Sequence, residues 1–84
     1  MIRIMKTLTP ARYIRLHVFG IETQTEFARL LGYEQPQMSR FENGAPFSSE
    51  AQSRIRRLAT ERGIDWDNNW FFEVPENKAP ERAA

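Results

Sequence analysis

Eighty-four residues, 40% hydrophobic and 27% charged, make one small domain with a modest core. The absence of cysteine excludes disulfides, zinc–thiolate sites and thiol catalysis, and a single histidine, His17, leaves no His-rich metal cluster. Net charge is only +1, but residues 1–64 hold ten Lys/Arg against six Asp/Glu while residues 65–84 hold two against five. A basic body with an acidic end fits a polyanion-binding face, and a solvated surface with chance asymmetry fits it as well.

Residues 1–8 read as an N-terminal arm, in which MIRIMK is too short and too charged for a signal peptide. No apolar run approaches the roughly 18 residues that cross a bilayer, so a cytoplasmic location without membrane contact is expected. Thr9-Pro10 opens the first helix, an N-cap followed by proline at the first helical position, and Gly20 closes it. Thr23-Gln24-Thr25-Glu26 predicts a capping box at the start of the second helix. Phe27, Leu30 and Leu31 mark its buried face and Gly32 its end.

The third helix is predicted from Gln35, with Glu34 as a weak N-cap or an anion near the positive helix end. Pro36 falls at the second helical position, where the missing N–H has no intrahelical acceptor to lose. Met38 and Phe41 face inward, and Asn43-Gly44 stops the chain. Ser48-Ser49-Glu50 opens a fourth helix with Ala51, Ile55, Leu58 and Ala59 as its apolar stripe. Gly63 ends that helix, and Asp65 is expected to cap a fifth running from Trp66 to about Phe72. Residues 73–84 are polar and aperiodic, so a mobile tail is expected there.

Gly32-Tyr33-Glu34 joins the second and third helices by a three-residue turn, the arrangement of a helix-turn-helix whose second helix enters the DNA major groove. The run QTEFARLLGYEQPQMSRFENG resembles the phage-repressor and Cro-like (XRE-type) helix-turn-helix family. The residues that carry the resemblance are Gln24, Ala28, Gly32, Ser39, Glu42 and Gly44, and it covers roughly residues 9–72. Two features depart from the family's pattern. The spacing from Gly20 to Gln24 is one residue longer than usual, and the first helix lacks a clear register. Members often pair a helix-one Arg with the Glu of the third helix, so Arg12 or Arg15 is the expected partner of Glu42. The resemblance implies an all-α, five-helix, lambda-repressor-like domain.

It also implies a sequence-specific transcriptional regulator, most simply a repressor of its own operon, bound as a homodimer to a palindromic double-stranded operator. Small regulators of phage and mobile elements fit this size. The alternative role is that of an antitoxin, which also represses its operon while its tail blocks a toxin partner.

Gln35, Pro36, Gln37 and Arg40 are the expected base readers. Glutamine can bond adenine N6 and N7, proline can meet a thymine methyl, and arginine can read guanine or grip a phosphate. Glu34 either accepts from cytosine N4 or, the preferred reading, only caps the helix.

The resemblance makes Gln24 the phosphate-contacting glutamine at the start of the second helix, where a capping role is the bland alternative. Asn43 and Ser48 are phosphate donors or simply turn and cap residues. Arg3 and Lys6 can follow the DNA backbone from the arm, and Tyr33 is a phosphate-contacting phenol or an elbow packer. Arg54, Arg56 and Arg57 make the fourth helix basic, which a solvated face explains equally well.

No nucleophile, general base or carboxylate pair accompanies His17, so neither catalysis nor a cofactor is expected. Trp66, Trp70, Phe71 and Phe72 exceed what one short helix can bury. Trp66 and Trp70 can close the core, while Trp70, Phe71 and Phe72 are the candidate dimer seam.

Overall fold

Thr9 starts the helical body: its Oγ1 accepts from the Arg12 N–H at 3.3 Å, and Pro10 occupies the first turn. The computed structural model describes residues 8–75. Helix α1, Pro10–Tyr13, passes without a break into a π-helical turn, Ile14–Val18. There the Phe19 N–H reaches back to the Ile14 carbonyl at 3.0 Å, and the Ile21 N–H to that of Arg15 at 2.9 Å. The wider turn sets the register that the sequence left open. It leaves Arg12 and Arg15 directed at one point, while Ala11, Tyr13 and Ile14 face the core.

Helices α2, Gln24–Leu31, and α3, Gln35–Glu42, follow, then α4, Ser49–Glu61, and a 3-10 turn, Asn68–Phe71. Among the described residues there is no strand. The helical architecture agrees with the sequence, but the expected fifth helix is only this 3-10 turn, and Asp67, not Asp65, caps it by accepting from the Asn69 N–H at 2.9 Å. With Asn68 and Asn69 at its start, the segment favours local side-chain bonds over an α-helix. No described helix is long and apolar enough to cross a membrane.

Ile14 from the π turn, Phe27 from α2, Met38 from α3 and Ile55 from α4 are fully enclosed. The stripe Ala51, Ile55, Leu58 and Ala59 is buried as its spacing predicts. An aromatic row continues the core around the molecule, from Tyr33 to Phe41, Phe47, Phe71 and Trp66, with centroids 5.0–6.0 Å apart. Phe71 is thus a core residue, packed between Phe47 and Trp66. Tyr13 is buried beside Trp70, and loss of solvent, helped by Asp67, pushes its phenol above the ordinary range. Val74 packs on the same cluster, so the ordered body continues past the boundary expected at residue 72. The expected arm through residue 7, with Arg3 and Lys6, and residues 76–84 of the expected tail lie outside the described residues.

The turn between α2 and α3 depends on Gly32, whose φ of 80° closes α2 by returning its N–H to Arg29 and the next N–H to Ala28. A Cβ at this position would stand 3.0 Å from Arg54 Nη1 and would carry the left-handed strain as well. Gly32→Ala is expected to cost about 1–2 kcal/mol of stability, read from the urea midpoint at unchanged slope.

Candidate nucleic-acid interface

At the centre of the α1–α2–α3 arrangement lies a carboxylate. Glu42, the last residue of α3, is 1% exposed. Arg15 grips both its oxygens, Nε to Oε2 at 2.5 Å and Nη2 to Oε1 at 3.1 Å, in the forked geometry that arginine favours. Its Nη1 also donates to the carbonyls of Ile21 and Glu22, at 3.2 and 2.6 Å. Arg12 stands farther from Glu42, at 3.5 Å, and keeps a quarter of its side chain exposed. The helix-one partner of Glu42 is therefore chiefly Arg15, with Arg12 as a second cation. Two arginines on one carboxylate leave an excess positive charge that faces solvent through Arg12. Local spacing marks Arg12 only as a candidate partner of Glu42 and gives no sign that it stays half-buried with part of its charge accessible. Thr9 adds a third tie, donating from Oγ1 to the Glu42 carbonyl at 2.8 Å.

Gln24 extends this network outward. Its Nε2 donates to Glu42 Oε1 at 3.1 Å, and its Oε1 accepts from Gln35 Nε2 at 2.7 Å. The first residues of α2 and α3 are thereby linked through their side chains. Thr23 caps α2 as predicted, accepting from the Glu26 N–H at 3.2 Å. The Glu26 carboxylate pairs with Arg29, so only half of the expected capping box is supplied by Thr23 and Glu26.

Helix α3 begins at Gln35 with Pro36 second, and Gln35, Pro36, Gln37 and Arg40 are all exposed. The structure brings these four expected readers onto one surface but does not treat them alike. Gln37 Oε1 accepts the Glu34 N–H at 3.1 Å, capping its own helix and leaving mainly its Nε2 donors outward. Among the described residues, Gln35 has no partner for Oε1 or for its second N–H, and Arg40 has no side-chain partner. Met38 lies fully inside on the opposite face.

The remaining expected contacts are distributed unevenly. The Tyr33 ring packs in the elbow: it meets Phe41 edge-on at 6.0 Å and lies 4.7 Å beneath the Arg54 guanidinium. Arg54 is not simply a solvated charge. It donates to the carbonyls of Leu31 and Gly32 at the end of α2 and pairs with Glu50, so it clamps α4 onto the α2–α3 turn. Ser48 caps α4 by accepting from the Ala51 N–H at 3.1 Å, which leaves its hydroxyl proton free. Asn43 follows α3 and is exposed. Between α3 and α4 a groove encloses about 440 Å³ and is lined by Tyr33, Gln37, Arg40, Phe41, Phe47 and Ser48, among others.

Of the expected dimer residues, Phe72 is 70% exposed, Trp70 half-buried and Phe71 only 5% exposed. Phe71 therefore has almost no surface left for a partner and is removed from the seam. The sequence signal for this was the surplus of aromatics, which did not say which one faces inward.

The two helix-one arginines should separate in stability measurements. Arg15→Met leaves Glu42 buried without its main partner and is expected to cost about 3–5 kcal/mol. Arg12→Met should cost less, about 1–2 kcal/mol, because Arg12 is half-buried and 3.5 Å away while Arg15 still holds both oxygens of Glu42. Parallel urea titrations of the two variants check this. No family model matches the chain, and no curated protein or solved structure matches it either.

Proposed function

We propose that the protein is a sequence-specific DNA-binding regulator of the helix-turn-helix kind, with α3 as its recognition helix. This reading rests on one observation: Gln35, Pro36, Gln37 and Arg40 form an exposed polar face on a short helix whose other face is fixed. Arg15 and Thr9 fasten its last residue, Gln24 its first, and Arg54 the turn before it. A rigidly held helix with amide and guanidinium groups at its tip suits the major groove, where glutamine complements adenine and arginine complements guanine. The partly exposed cation of Arg12 and the remaining donors of Gln24 and Ser48 suit phosphate contacts around it.

The proposed protein acts as a homodimer on a palindromic operator, the recognition helices entering successive major grooves about 34 Å apart. Phe72, the exposed aromatic, borders a cleft of about 260 Å³ formed with Phe41, Pro46, Phe47 and other apolar residues. A protruding ring beside an apolar hollow suits a two-fold seam, in which each copy fills the other. Repression of its own operon is the simplest role for a chain of this size.

Selection from randomised DNA duplexes tests the reading directly. The wild type should enrich one palindrome, with affinity falling steeply as salt rises because phosphate contacts release counterions. A folded variant carrying Gln35→Ala, Gln37→Ala and Arg40→Ala together should lose selectivity for that palindrome, each lost bidentate contact costing about 1–3 kcal/mol. Unchanged binding by that variant would refute the assignment of α3. Sedimentation should show Phe72→Ser shifted toward monomer, and its affinity for the palindrome should fall to about that for a single half-site.

A further inference from the structure

We infer that a cleft between the first helical segment and residues 64–75 binds an organic cation, a guanidinium or ammonium group on an alkyl stem. The cleft encloses about 490 Å³, a size that suits a small guest. None of the described residues that line it belongs to α2, α3 or α4, so it is independent of the proposed DNA-reading face. Its chemistry is set by Asp67, Tyr13, Trp70 and His17.

Charge in the lining has one sign. No lysine or arginine lines the cleft among the described residues, whereas the exposed Asp67 does. Asp67 accepts from the Asn69 N–H through Oδ1 at 2.9 Å and enters no ion pair among the described residues. Tyr13 supplies a second acceptor. It is 2% exposed, yet its hydroxyl has no hydrogen-bond partner among the described residues, where a buried tyrosine ordinarily finds one. Loss of solvent, helped by Asp67, keeps the phenol protonated, so Oη offers neutral lone pairs near the carboxylate.

Aromatic rings complete the site. Trp70 stands edge-on to Tyr13 with centroids 6.2 Å apart, and His17 stacks on Tyr13 at 5.4 Å. Ring faces are electron-rich, so aromatic walls beside a carboxylate favour a positive guest. An anion would be repelled by Asp67, and a neutral apolar guest would leave the phenol oxygen and the carboxylate unpaired. A guanidinium carries its N–H donors in a fixed fork and can serve both acceptors together. Val18 and Ile64 provide an aliphatic surface for its stem.

The experiment is titration of the full chain with butylguanidinium, followed by NMR at the indole N–H signals of its two tryptophans. Trp70→Leu removes one signal and so assigns it. The Trp70 signal is expected to shift saturably, with a dissociation constant of about 0.1–1 mM. Butylurea has the same shape without the charge and is expected to bind about tenfold more weakly. Tyr13→Phe keeps the ring, and Asp67→Asn keeps an oxygen to cap the 3-10 turn. These variants are expected to weaken butylguanidinium binding about tenfold and about three- to fivefold, respectively. Thermal melting confirms that each is folded. A blocked Gly-Arg-Gly peptide separates two sources of the same group. Tighter binding than butylguanidinium marks an arginine side chain of a partner protein as the guest, and weaker binding marks a free guanidine or amine.

Absence of a saturable shift would overturn the assignment. Equal binding of butylurea, or unchanged binding by Asp67→Asn and Tyr13→Phe, would overturn it too, since the cleft would then be only an apolar hollow. So would a shift of folded Trp70→Leu from dimer to monomer in sedimentation, which would make this wall a seam between copies. Each of these results leaves the proposed role of α3 where it stood.

Discussion

The bond between Arg15 and Glu42 is the interaction on which the arrangement of the other elements depends. A charged group 1% exposed is costly to bury, and the cost is offset only when its hydrogen-bonding capacity is filled. Here Arg15, Arg12 and Gln24 fill it from the first helical segment and from α2, while Glu42 itself ends α3. One carboxylate therefore fixes the mutual position of three elements. A hydrophobic contact would have tolerated sliding by a few tenths of an ångström, whereas a forked ion pair in a dry site has one good geometry. Directionality is what this polar centre contributes to the fold.

A second fixing point lies on the other side of α3. Arg54 places its guanidinium over Tyr33 and against the carbonyl end of α2, where a positive group meets the negative helix terminus. The short α2–α3 unit is thus held from α1 below and from α4 behind. Its outer surface carries few structural duties, Gln37 capping the helix and Gln35 bonding Gln24 as partial exceptions. A face that carries polar side chains yet contributes little to the core is available for recognition, and this is why the DNA-binding proposal centres on it.

Much of this was legible in the sequence, for identifiable reasons. Thr9, Thr23 and Ser48 announced three helix starts because capping is local chemistry, decided within four residues. The stripe of α4 and the inward Met38 followed from helical period. Pro36 marked the beginning of α3 because proline is tolerated only in a first turn. What was not legible depended on contacts between distant residues. Nothing in the local pattern distinguishes Arg15 from Arg12, since the π turn that aims them has no signature of its own. Nor does it show that Gln37 bends back to cap α3, or that Phe71 turns inward while Phe72 turns out. The choice of Asp67 over Asp65 as a cap was equally hidden, because both precede the same aromatic run.

Helices α2 and α3 have eight residues each. Isolated helices below about 12–15 residues are marginal in water, so neither would persist outside this body. The exposed face of α3 consequently has no existence in a partly unfolded chain. On the proposed reading, recognition is therefore a property of the folded body as a whole, and α3 cut away from it would keep no grip on a target.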